Sequence, residues 1–259
     1  MAFTLAHPAA VMPLRRFRNL PTLALLIGSV VPDVPYYLPH RELTMDLVDL
    51  HTLFGALVFG IPLGMLMLAL GLLLRRPLTA LMTERARWVS LREADSFLSR
   101  PANWLLAIPA VFVGSLTHIL WDGFTHANTW ITSQLGVLNE PVDVLGLYTG
   151  ALSHILQYVT TVLGLVLLGY WYHLAAAKAP PELALDPNRP QLRRALLLVI
   201  AAAVAMGIVH TVRGYSRFPT VYGMCYLMLT RTTAWFMLLY MVAGAVVLRT
   251  RRPQPQPEG

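Results

Sequence analysis

Residues 52 to 74, from TLFGALVFG to LALGLLL, contain no charged side chain. A helix needs about 20 mainly apolar residues to cross a hydrocarbon core. Backbone inside that core must satisfy its own hydrogen bonds, which leaves only helices and closed barrels as spanning structures. The pattern recurs at 103–121, 151–174, 192–212 and 219–248. A further run, 20–38, is just long enough but is interrupted by Pro32, Asp33 and Pro35. The chain is 56% hydrophobic and 13% charged, where a soluble domain carries about 25% charged residues. Soluble classes are therefore excluded. The expected fold is an all-α, polytopic integral membrane helix bundle of about six transmembrane segments, the first either a full crossing or re-entrant. Residues 1–249 read as one transmembrane domain, and 250–259 as a disordered cytoplasmic tail.

A formal net charge of +7 raises the question of nucleic acid, but the basic residues sit in short segments between apolar runs, as topology signals do. No nucleic-acid partner is expected. Residues 75–102 contain Arg75, Arg76, Arg85, Arg87, Arg92 and Arg100, whereas 122–150 contain no Lys or Arg at all. The positive-inside rule then puts 75–102, 178–194 and the tail in the cytoplasm, and 33–51 and 122–150 outside. This predicts a multi-pass protein of a bacterial cytoplasmic (inner) membrane with both termini inside. Within the arginine-rich loop, TERARWVSLREADSFL reads as an interfacial amphipathic helix. Lys178 is the only lysine, a bias that suits a GC-rich bacterial genome, and the lone Cys225 excludes an intrachain disulfide. Arg15, Arg16 and Arg18 follow the first apolar residues, so the N-terminus does not read as a cleaved signal peptide.

The span at 103–121 ends in GSLTHILWDGFTHANTW, with His118, Asp122 and His126 four residues apart. That spacing keeps side chains on one helix face, as far as His126 if the helix continues past Gly123. On the same topology Asp33 ends the first segment, His51 begins the second and His154 opens the fourth, all at the outer face. Ionisable groups near hydrocarbon are costly and face a bundle interior, a cavity or a partner. Mixed imidazole and carboxylate donors suit a divalent metal such as Zn. The plainer reading is of interfacial helix ends, with Asp33 in VVPDVPYY capping a proline-broken helix. The leading metal candidates are His118, Asp122, His51 and Asp33. Asp122 is placed to bridge two ions, and with His126 is a candidate catalytic group. Arg231, deep in an apolar stretch, and Arg213 are candidates for holding an anionic substrate.

FTLAHPAAVMPLRR, IGSVVPDVPYYL, HTLFGALVFGIPLG and SLTHILWDGFTH together resemble an uncharacterised bacterial membrane family, the domain-of-unknown-function 4184 family. More distantly, the pattern is similar to inner-membrane-associated proteins classed as metal-dependent hydrolases, and more remotely to the zinc-dependent phospholipase C and nuclease superfamily. The remote resemblance implies a ligand set of His7, Asp33, His51, His118, Asp122, His126 and His154. Two departures stand out. The phospholipase-like pattern ends in a His followed four residues later by Glu, where His154 is followed by Tyr158. The nearer family places a His where this chain has Tyr158. His7 adds a topological problem. A complete first crossing leaves it opposite the cluster. A re-entrant hairpin of 4–14 and 20–32 brings it round, but with arms of only ~15–20 Å that would leave the arginines inside the bilayer.

The sharpest expectation is a metal-dependent hydrolase of a phosphoester, with a lipid or lipid-linked substrate entering from the bilayer. The alternatives are an ion or proton transporter and a structural bundle using the same His/Asp cluster.

Overall fold

The computed structural model describes residues 4–17, 19–38, 49–146, 148–181, 183, 186, 188–216 and 220–250; the tail at 251–259 and the 39–48 connection lie outside them. The fold is an all-α membrane bundle. Its elements in chain order are α1 (Pro8–Val11), α2 (Thr22–Gly28), α3 (Leu53–Leu73), α4 (Glu84–Leu98), α5 (Ala102–Thr125), α6 (Leu152–Ala176), α7 (Arg189–Gly214) and α8 (Val221–Thr250). Among the described residues, five helices are long and apolar enough to cross a membrane: α3, α5, α6, α7 and α8. The amphipathic stretch expected at the interface is α4, with Ala94 and Phe97 buried. A small antiparallel pair, Pro141–Val144 with Tyr148–Ala151, lies between α5 and α6.

The 20–38 run does not make a sixth long helix. α2 stops at Ser29, and a 3-10 turn, Val31–Asp33, and a helical turn, Val34–Tyr37, follow. Pro32 and Pro35 supply no N–H to continue the ladder. The chain before it forms a second arm: a 3-10 turn Thr4–Ala6, then α1, then a 3-10 stretch Met12–Arg16. His7 stacks on His118 at 3.7 Å between ring centroids, and Arg15 Nη2 meets Glu93 Oε1 at 3.2 Å. Asp33, at the end of the other arm, returns to within 3.5 Å of His118. The first segment is therefore a hairpin, with His7 and Asp33 at one end and the arginines at the turn. Its 3-10 stretches rise ~2.0 Å per residue against 1.5 Å for α-helix, so the first arm reaches roughly 20–24 Å. That matches the ~22 Å rise of α5 from Asn103 to His118. The turn thus lies level with the start of α5, where Arg15 meets Glu93.

Two compact units are present. The first holds residues 1–35, 42–70 and 93–178. Here α2 lies directly on α5: a Cβ on Gly28 would overlap the Val111 carbonyl, and one on Gly114 would fall 2.8 Å from Ser29 N. Small residues permit such backbone approach in membrane bundles. α3 contains a π-helical turn, Ala56–Gly60, just beyond His51. The outer face of α6 exposes Val162 and Val166. The second unit holds 36–41, 71–92 and 179–259. In it α7 packs on α8 with Gly207 against Thr232, and Gly244 of α8 approaches the Pro77 backbone.

Candidate metal centre

Pro32 starts the construction. Lacking an N–H, it cannot bond the Ser29 carbonyl three residues back, and Asp33 N donates to Val30 O instead. The freed Ser29 carbonyl lies 2.7 Å from His118 Nδ1. A carbonyl only accepts, so Nδ1 carries the proton and the neutral ring's lone pair is on Nε2. Ser115 Oγ, one turn earlier, donates to Gly28 O at 3.1 Å and ties the same two elements together.

His118 Nε2, fully buried, faces Asp122 Oδ2 at 3.3 Å and Asp33 Oδ1 at 3.5 Å. From the residues preceding α3, His51 Nε2 faces the same two oxygens, Asp33 Oδ1 at 3.5 Å and Asp122 Oδ2 at 3.7 Å. The His51 backbone N–H donates to Asp49 Oδ1 at 2.9 Å. The Thr4 hydroxyl donates to Asp33 Oδ2 at 2.6 Å, leaving Oδ1 turned toward the imidazoles. One donor atom from each of Asp33, His51, His118 and Asp122 lies within 4.8 Å of the others.

Nitrogen and oxygen alternate around this ring at 3.3–3.7 Å. Good hydrogen bonds are shorter, and His118 Nε2 makes none. Ligands ~2.0–2.2 Å from a tetrahedral ion would be about 3.3–3.6 Å apart. Two carboxylates and an imidazole lone pair directed at one point repel one another unless a proton or a metal cation sits between them. The group can hold a metal ion, and its mixed donor set suits a borderline-soft divalent one. His51 and Asp122 are 24% and 15% exposed, against 0% and 3% for His118 and Asp33, so one side of the ring is open.

The other oxygen of Asp122 has its own company. His7 Nε2 and His126 Nδ1 each lie 3.5 Å from Asp122 Oδ1, and neither nitrogen of the buried His7 makes a hydrogen bond. α5 does continue past Gly123, ending at Thr125, and His126 follows in extended conformation as its cap. Burial holds the His126 imidazole below its usual pKa. His7 and His126 thus lie against the four-residue group without belonging to it.

Three candidates are not members of the four-residue group. His154 is half-buried in the first turn of α6, outside the four-residue group; the buried residues near it in the first two turns are Ser153 and Gln157. Tyr158, at the position where the resemblance expects a ligand, is 56% exposed. Arg213 and Arg231 belong to the second unit. Arg213 is exposed in the last turn of α7, and Arg231 Nη1 donates to Leu38 O at 3.1 Å. The sequence reading missed Thr4, Asp49 and the Ser29 carbonyl. Asp49, two residues before His51, has the spacing of an Asx-turn, and Pro32 marks the unbonded carbonyl. Nothing local marks Thr4.

The fold and site define a polytopic helical membrane protein with a buried His/Asp group able to hold a metal ion. The chain belongs to the family described as Domain of unknown function (DUF4184), whose model matches residues 1–248. No characterised protein and no solved structure matches it.

Proposed function

We propose that the protein is a membrane-embedded metal-dependent hydrolase of a phosphoester, on a lipid or lipid-linked substrate. Asp33, His51, His118 and Asp122 would hold a zinc ion at the outer face of a bacterial cytoplasmic membrane. The observation that carries this reading is the alternating ring of two carboxylates and two imidazoles, open on the His51 and Asp122 side. A purely structural zinc site is closed, whereas a catalytic one keeps access. When bound, the ion would supply Lewis acidity and ease deprotonation of water.

The protein's own groups divide the remaining work. The Ser29 carbonyl fixes the His118 tautomer, as partners of metal-bound imidazoles do, and Thr4 orients Asp33. His126, half-buried beside Asp122, is positioned to accept or return a proton. The gathering of ionisable groups at one end of the first unit favours chemistry there over passage of ions along a membrane-long path.

Orientation follows from the arginines. With the 75–102 loop in the cytoplasm, the cluster faces out. The hairpin then carries Thr4 to the outer side as well.

The purified protein should retain close to one equivalent of zinc by elemental mass spectrometry, and the zinc-loaded form should hydrolyse a member of a phospholipid and lipid-linked phosphate panel. Zinc retention with no turnover across that panel would replace hydrolysis with a structural metal site. No retained or rebound divalent ion would remove both.

A further inference from the structure

The turn of the hairpin, at the opposite end from the metal group, borders a cavity of about 380 Å³. Ligand sites typically span ~300–1,000 Å³. Arg15, Pro21 and Thr22 form one side, and Glu93, Arg100 and Asn103 the other. Beside the turn, Asn103 Nδ2 donates to Phe97 O at 2.9 Å, folding the start of α5 back on the end of α4.

The lining is mainly polar, with two guanidinium groups against one carboxylate. Glu93 takes a single partly exposed contact from Arg15. Arg100 has neither an ion pair nor a side-chain hydrogen bond among the described residues. Two arginines sharing one acid leave a net positive recess at the very start of a membrane helix.

We propose that this cavity binds the phosphate of an anionic phospholipid headgroup, with Arg15 and Arg100 as its ligands. Guanidinium groups match phosphate oxygens with paired N–H donors, and basic recesses between helices at the cytoplasmic boundary recognise anionic headgroups. The surface leading away from the cavity fits the rest of a lipid. Trp104, Leu105 and Ile108, immediately along α5 from Asn103, are 37%, 73% and 42% exposed. Acyl chains can lie on that column while the headgroup occupies the polar recess. A free phosphate would make no use of it.

Glu93 gives the proposal a signature that damage to the fold cannot imitate. Its carboxylate occupies Arg15 and repels an incoming anion. Glu93→Gln should therefore tighten binding, while loss of the arginines weakens it.

The test is native mass spectrometry of the full, delipidated chain in detergent. Dioctanoyl phosphatidylglycerol, dioctanoyl phosphatidylcholine and inorganic phosphate are titrated separately. Wild type should bind phosphatidylglycerol with preference over phosphatidylcholine. Arg15→Gln with Arg100→Gln should lower that affinity at least about tenfold, and Glu93→Gln should raise it severalfold. Lipid-free thermal midpoints establish that each variant folds, and Arg100→Gln alone, at an exposed and unpaired position, serves if the double variant does not. Equal affinity for the two lipids, or unchanged affinity in the arginine variants, overturns the site. Inorganic phosphate that binds as tightly as phosphatidylglycerol overturns the lipid assignment.

Discussion

Asp122 is shared more widely than any other side chain in the centre. One oxygen faces His118 and His51, and the other faces His7 and His126. Asp122→Ala and His118→Ala should each abolish stoichiometric zinc and, with zinc present, melt below the wild type. Arg231→Ala should leave the zinc in place, because a guanidinium has no lone pair to donate. Loss of metal in the arginine variant would show that the ligands are wrongly assigned. Thr4 tests the outer support. Valine keeps its shape but removes the hydroxyl that holds Asp33 Oδ2. Losing a partner behind a metal ligand typically costs 10–100-fold in affinity, so Thr4→Val should weaken zinc by about that factor in competition with a chromogenic chelator. An unchanged affinity would mean that Asp33 is oriented by packing alone.

At the scale of elements, the close contact of α2 with α5 sets the geometry. The Ser29 carbonyl can reach His118 only because Gly28 and Gly114 let two backbones touch. A methyl group at Gly114 would meet Leu25 and Ser29 backbone atoms, which cannot rotate away. Overpacking of this kind costs about 1–3 kcal/mol. Gly114→Ala should therefore lower the thermal midpoint and the zinc affinity together. Gly169→Ala, on α6 with nothing within 4 Å of the added Cβ, should change neither, and an effect as large there would refute the packing argument. The same contact explains what could be read in advance. His118 and Asp122 stood out because four-residue spacing is a local helical signal, and His51 and Asp33 because charge asymmetry assigned both to one membrane face. His7 was ambiguous because hydropathy measures apolar length, not whether a run crosses or turns back. The 3-10 stretches that lengthen the first arm have no distinct apolar signature. His154 has only its place at a span's start to mark it, and in the first two turns of α6 the buried residues are Ser153 and Gln157.

For the molecule as a whole, the proposed orientation has a direct measurement. In the first unit, the segment between α5 and α6 adjoins the metal group, while the end of α4 lies at the hairpin turn. Val137 is 62% exposed in the former, and Ser99 is exposed in the latter. With the native Cys225, which is exposed, replaced by serine, Val137→Cys and Ser99→Cys become the single labels of two variants. The proposed orientation, argued from the absence of Lys and Arg in 122–150 against the arginines of 75–102, puts the first outside and the second inside. An impermeant thiol reagent should therefore modify Val137→Cys in intact cells and Ser99→Cys only after lysis. The pairing matters because the two positions flank opposite ends of α5, whose 24 residues span roughly 36 Å at 1.5 Å per residue. One bilayer must separate them, so the two variants cannot both label in intact cells. The reverse pattern would turn the metal group toward the cytoplasm and the arginine-lined cavity toward the outer leaflet. It would leave both sites standing but exchange the compartments from which their ligands arrive.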